Sequence, residues 1–250
     1  MKHPRTILKQ QEVVGHLLNE DGRIKFTGYQ RTLLQQSGLL QGTGWAGWDD
    51  GRLTAGISKQ GEAISPLGAA LGWLKWRVDR THKPWLWLYG KQFGVGKTLA
   101  AQILGVHWIA ATAKPVLFVS WGAYLETKKD SWSNDDATIT TDLSRMVEAP
   151  FLIIDDLCGG PSFSSTWALG QLFVVLDQRV HKATVFTSNY SIDQFRQSLR
   201  GGKVKDRITH ADVLGKVSSR LGRGPGGSFA NEIKFESKAG DMRQKEFASA

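Results

Sequence analysis

Residues 89 to 98 read Tyr89-Gly90-Lys91-Gln92-Phe93-Gly94-Val95-Gly96-Lys97-Thr98, with an apolar run before them and the helical pattern LAAQILGVHWIAATA after them. Glycines at 94 and 96 allow successive backbone amides to converge on one anion, and a helix beginning at the same point adds the positive end of its dipole. The Lys97 ammonium can reach the outer oxygens of a polyphosphate, and the Thr98 hydroxyl can hold Mg²⁺. Strand, glycine loop, Lys-Thr and helix form the context that a Walker A loop requires. Gly90, Phe93, Gly94, Val95, Gly96, Lys97, Thr98 and Leu99 are therefore the expected contacts of a bound ATP. The strict spacing G-x-x-x-x-G-K-S/T asks for glycine at position 91, where Lys91 stands, and Gly90 is one residue early. Either the loop is one residue longer, or the first glycine is dispensable.

A second constellation lies downstream, where Phe151-Leu152-Ile153-Ile154 runs into Asp155-Asp156. An apolar strand that ends in two carboxylates fits a Walker B segment. Asp155 would then hold the Mg²⁺ shell, and Asp156 would orient or deprotonate the attacking water. The rival reading makes them caps for the following loop. The next apolar run ends in Thr187-Ser188-Asn189, and a polar side chain there can sit between the strands carrying the two Walker segments and hydrogen-bond the γ-phosphate or its water.

These residues need a scaffold, and the pattern from residue 84 onward supplies one. PWLWLY, PVLFVS, PFLIID and ATVFTS are short apolar runs separated by amphipathic stretches of helical length, which is β/α alternation. Continuous apolar strands suit a parallel sheet with helices on both faces, and NEIKF at 231 to 235 reads as one further strand. Trp85 and Trp87 alternate on one face of a buried strand, while Trp73 and Trp76 share a helix face near Trp108. Ser65-Pro66 is a helix-start signal for a helix over about 66 to 80. Before it lie helical patterns over about 6 to 19 and 28 to 37 and the Gly-rich stretch GLLQGTGWAGWDDG. The expected fold class is α/β, a P-loop NTPase with a parallel sheet flanked by helices. A helical N-terminal extension, residues 1 to 60, precedes the ATPase domain at 61 to 250 and is expected to dock a partner.

The chain of 250 residues carries a formal net charge of +9, unevenly distributed. Residues 37 to 195 hold 14 Lys/Arg against 14 Asp/Glu, whereas residues 196 to 250 hold 12 against six. A neutral body with a basic end suits an anionic partner such as nucleic acid, although a solvated basic face accounts for the same charge. Lys203 and Lys205, with Arg207, could track phosphates, and Trp132 is the tryptophan best placed to touch DNA or a partner. Apolar runs fall far short of the roughly 18 residues a membrane span needs, so no membrane partner is expected. No secretory signal is visible, and one cysteine, Cys158, permits no internal disulfide; a reducing, cytoplasmic setting follows as the expectation. Cys158 reads as a packing residue rather than a redox centre. The six histidines show no ligand spacing, so no structural zinc is expected.

YGKQFGVGKTLAAQIL, KPVLFVSWGAYLETKK, PFLIIDDL, ATVFTSNYSIDQF, KVSSRLGRG and KAGDMRQ occur in this order. The order resembles that of DnaC/DnaI-type helicase loaders and of the related IstB-type transposition ATPases, all of the AAA+ class. The resemblance spans roughly residues 84 to 245 and implies the AAA+ form of the P-loop fold. It also implies that Asn189 is the sensor 1 residue, that Arg220 reaches a neighbouring subunit's ATP, and that Arg243 belongs to the nucleotide site; Arg207 is the second candidate for the trans role. Catalytic candidates are thus Asp156, Asn189 and Arg220. The resemblance further implies homo-oligomers on ATP binding, contact with single-stranded DNA, and a partner that is a replicative helicase or a transposition or replication protein. A P-loop small-molecule kinase is a further alternative, against which the Thr-Ser-Asn strand end and the late Arg220 argue.

Overall fold

The computed structural model describes residues 26–39, 66–78, 84–130, 138–158, 163–200, 207–221, 223–224, 227–228 and 230–236. Five strands form one parallel sheet: β1 (Trp85–Tyr89), β2 (Val116–Ser120), β3 (Phe151–Asp155), β4 (Ala183–Ser188) and β7 (Ala230–Lys234), in the order β2-β3-β4-β1-β7. A two-residue antiparallel pair, β5 (Arg223–Gly224) with β6 (Gly227–Ser228), precedes the last strand. Each expected strand is present within a residue of its sequence boundary.

Strand side chains alternate between two buried layers. Leu86 and Leu88 of β1 enter one apolar cluster together with Phe151 and Ile153 of β3. Trp85 and Trp87 enter the other with Leu152 and Ile154. Helices α1 (Gly28–Gln36), α2 (Pro66–Val78) and α3 (Lys97–Thr112) cover the first face. On the second lie α4 (Trp121–Asp130), α5 (Thr138–Glu148), α6 (Thr166–Gln178), α7 (Ile192–Arg200) and α8 (Arg207–Leu221). Three of the described tryptophans serve the core: Trp73 meets Phe151 edge-on at 6.2 Å, Trp108 lies 5.0 Å from the same ring, and Trp87 lies 5.4 Å from Phe186. Indole N–H groups of Trp85 and Trp87 donate to the carbonyls of Arg179 and Tyr190. Trp132 and the 6–19 helical pattern lie outside the described residues.

Residues 26–39, inside the expected extension, pack on the sheet-and-helix core. Thr27 and Gln30 form a capping box at the start of α1. The Gln30 amide then donates to the carbonyls of Ile109 and Ala110 at the end of α3, at 3.2 and 3.0 Å. Leu33 and Leu39 join the first cluster. Phe118 of the edge strand β2 donates its backbone N–H to the Ser37 carbonyl at 2.9 Å, so this segment also covers part of a sheet edge.

At the opposite edge of the strands from the phosphate loop, a fully buried arginine closes the structure. Arg179 donates to the carbonyls of Met146, Val147, Ala149 and Ala183 and to the Thr184 hydroxyl. Those carbonyls include the free ones at the C-terminus of α5, where a cation is favoured. Burial lowers the guanidinium pKa to about 9.

Candidate nucleotide site

In a parallel sheet all strands end on the same side, and the order places β4 between β1 and β3. The loop after β1 and the polar ends of β3 and β4 therefore converge. Gly94 and Gly96 have φ of 71° and 89°, the left-handed region that favours glycine, and Gly96 starts α3 without any side-chain cap. Its first amides are thus left for an anion. Val95 is buried, Phe93 stands 66% exposed, and Leu99 packs against the first cluster.

Lys91 has no positive φ, so the position where the strict motif asks for glycine does not need one here. Gly90 has a different purpose. A Cβ on it would come within 2.2 Å of the Phe235 carbonyl oxygen, because the chain leaving β7 crosses directly over it. The first glycine is dispensable for the loop, and Gly90 answers a packing demand that only the tertiary fold creates.

Lys97 donates to the carbonyls of Gly90 and Gln92, at 2.9 and 3.2 Å, and to Oδ1 of Asn189 at 3.1 Å. The Walker A lysine and the polar end of β4 thus share one site. Thr187, which precedes this asparagine by two residues, holds the Asp155 carboxylate and the backbone of Asp156. Its hydroxyl donates to Asp155 Oδ1 at 2.6 Å and accepts from the Asp156 amide at 2.8 Å. Asp156 itself sits in the left-handed region with φ 50°. The next helix, α6, takes its cap from Ser165, whose hydroxyl accepts from the Ala168 amide. Neither carboxylate is needed as a helix cap.

Burial, and then the charge of Asp155, raise the pKa of the Asp156 carboxyl above 3.8, while Lys97 acts in the opposite direction. A carboxylate so raised is a better proton acceptor. Burial pushes the Cys158 thiol up to about 12, and its sulfur lies 3.2 Å from the Ser188 hydroxyl, which fits a packing residue and not a thiolate. Among the described residues no group of three His, Cys, Asp or Glu could hold a metal ion alone. The donor set fits Mg²⁺ of the kind that keeps waters and phosphate ligands, with Thr98 and Asp155 as the protein's contribution.

Residues 79–218 match the family described as IstB-like ATP binding protein, more than half of the chain. The chain belongs to this family. Fold comparison agrees: a solved structure of DnaI has a TM-score of 0.53 at 21% identity, covering 74% of this chain and 93% of that one. A crystal structure of the DnaC helicase loader gives 0.49 at 18%, covering 74% and 98%. The replication initiator DnaA bound to AMPPCP and single-stranded DNA gives 0.47 at 18%, covering 72% and 51%. No curated protein matches the chain by sequence. This IstB-like chain is an ATP-binding protein with the AAA+ form of the P-loop fold, a parallel five-stranded sheet flanked by helices.

The remaining candidates are distributed differently. Arg220 lies in the last turn of α8, paired with Asp177 of α6. Arg207 begins α8, and its side chain, like Lys203, Lys205 and Arg243, lies outside the described residues. Thr187 as the partner of the Asp155 carboxylate and the Asp156 amide was not singled out from the sequence; a hydroxyl residue two positions before Asn189 was the available signal. Among the described residues no helix is long and apolar enough to cross a membrane.

Proposed function

We propose that this protein is an oligomerising ATPase that binds single-stranded DNA and loads or remodels a replicative helicase. The observation that carries the ATPase reading is the convergence of Lys97, Asn189, Asp155 and Asp156 at the C-terminal ends of the central strands, with Thr187 tying the Asp155 carboxylate and the Asp156 backbone to β4. In this reading Gly90 and Phe93 to Leu99 cradle ATP, Thr98 and Asp155 hold Mg²⁺, Asp156 activates water and Asn189 senses the γ-phosphate. Arg243 completes the nucleotide site. Arg220 acts on the ATP of a neighbouring subunit, and its bonds to Asp177, none of them to Lys97's partners, are compatible with a role in trans. The helicase part rests on the order of motifs from 84 to 245 and on the fold shared with DnaI. Residues 1–60 dock the protein partner, with 26–39 anchoring that extension to the core. The family match itself favours a second reading, a transposition ATPase.

Mixing two inactive chains tests the ATPase reading. Lys97→Ala supplies an intact Arg220, and Arg220→Ala supplies an intact ATP site, so a mixed interface holds one complete site. Hydrolysis is expected to return in the mixture. Its absence, with mixed assemblies visible by light scattering, would remove Arg220 from the trans role and pass the test to Arg207. Co-purification of the full chain then separates the partners: a replicative helicase supports the leading reading, and a transposase supports the second.

A further inference from the structure

Arg220 is one of the few surface cations in the described structure whose side chain is held from two directions. Its Nε donates to Asp177 Oδ1 at 2.9 Å and its Nη2 to the same oxygen, while its guanidinium lies 5.9 Å from the centre of the Phe173 ring. Phe173 and Asp177 are one turn apart on α6, so they present a single face to α8. Nη1 has no partner among the described residues. Arg220 and Phe173 also line an open groove of about 540 Å³ between α6 and α8, together with Ala211, Gly215, Ser219 and the ion pair of Asp212 with Lys216.

Asp177 itself calls for an explanation. It lies in the last turn of α6, where the negative end of the helix dipole disfavours a carboxylate. Its neighbour across the groove gives the reason. Two donors on one oxygen fix the plane of the guanidinium, the ring beneath fixes its height, and the remaining Nη1 edge is left for an acceptor outside the chain.

We propose that Asp177, with Phe173, is the positioning residue of Arg220, holding its guanidinium ready for the phosphate of a second copy's ATP. The inference rests on the reading that Arg220 acts in trans. Magnitude decides between positioning and restraint. Side chains of Asp177 and Arg220 are 33% and 35% exposed, and pairs so exposed shift an equilibrium by about fivefold or less. An arginine acting on a transferred phosphate contributes roughly 10³ to 10⁵ in rate. The pair is too weak to withhold such a residue and strong enough to orient it.

Hydrolysis by the full chain, measured where light scattering shows complete assembly, tests this with Asp177→Asn, Asp177→Glu, Arg220→Ala and the Asp177→Asn/Arg220→Ala double variant. Asp177→Asn is expected to lower kcat about three- to tenfold, with KM for ATP and the assembly midpoint unchanged. Asp177→Glu should restore part of the loss, and the double variant should match Arg220→Ala alone. Faster turnover in Asp177→Asn would overturn the proposal in favour of restraint. An unchanged kcat would overturn it outright, and so would an equal loss in the Arg220→Ala background, which marks a structural role. Should Asp177→Asn not fold, Phe173→Leu carries the test, with an expected kcat loss of about twofold that vanishes in the Arg220→Ala background. The underlying reading is judged separately: Arg220→Ala with undiminished concentration-dependent hydrolysis removes the trans role whatever Asp177 does.

Discussion

Lys97 gives up three contacts to meet a nucleotide, two loop carbonyls and Asn189. A phosphate replaces them with charge-assisted bonds, each contributing about 1.5–3 kcal/mol. Lys97→Ala should therefore weaken ATP binding by at least about tenfold by calorimetry, and equal affinities for variant and parent would remove the residue from the phosphate site. Asp156 makes a different demand, because chemistry and stability pull on it in opposite directions. With Asp155 left to hold the metal, Asp156→Asn should keep ATP affinity within about twofold while hydrolysis stops. The same substitution has a signed effect on folding. Because the folded pKa of Asp156 is raised above 3.8, its protonated form contributes stability that is fully present below 3.8 and is lost as pH rises through the folded value. Asparagine does not ionise. Without nucleotide, Asp156→Asn should melt above the parent at neutral pH, and the gap should close as pH falls below 3.8; a gap independent of pH would assign the gain to something other than the carboxylate.

At the scale of elements, the edge where β1 meets β7 has little slack. The Phe235 N–H donates to the Tyr89 carbonyl at 2.6 Å, and the Phe235 oxygen passes over Gly90 where a Cβ would meet it at 2.2 Å. Gly90→Ala must push this crossing apart and should cost about 1–3 kcal/mol, read as a lower urea midpoint at constant slope. An unchanged midpoint would show that the crossing yields freely. This glycine also marks where sequence reasoning stops. Strands were legible because both sheet faces are buried, so runs such as WLWLY and FLII stay apolar and send Trp85, Trp87, Leu152 and Ile154 to one layer and Leu86, Leu88, Phe151 and Ile153 to the other. The Lys-Thr loop, Asp155-Asp156 and Asn189 were legible because each follows such a run directly. What the sequence concealed depends on strand order and register. The partner of Gly90 is 145 residues away, Thr187 meets Asp155 only because β4 lies beside β3, and Arg179 looks like an ordinary helix-end cation until the end of α5 is folded onto it. Residues 26–39 read as an extension for the same reason: their partners, Ile109, Ala110 and Phe118, lie far along the chain.

For the whole molecule the charge distribution makes the last prediction. Six Lys/Arg beyond balance fall within residues 196 to 250, behind a body whose middle 159 residues are neutral. If that excess binds single-stranded DNA, the binding free energy comes largely from counterions released by the phosphates, and the logarithm of affinity must fall linearly with the logarithm of salt. Each neutralised phosphate of a single strand contributes about 0.7 to that slope. Replacing Lys203 and Lys205 together by alanine should therefore reduce the slope by about 1.4, measured by fluorescence anisotropy of a labelled oligo-dT with ATP present. Nucleotide affinity should stay as it was, since neither lysine belongs to the loop around Lys97. A slope that does not change would move the DNA contact to other cations. Absence of binding at low salt with ATP bound would take DNA out of the function altogether and leave the basic end as a solvated face. Both results are separable from failure of the ATPase reading, because hydrolysis by the same preparation is measured without DNA.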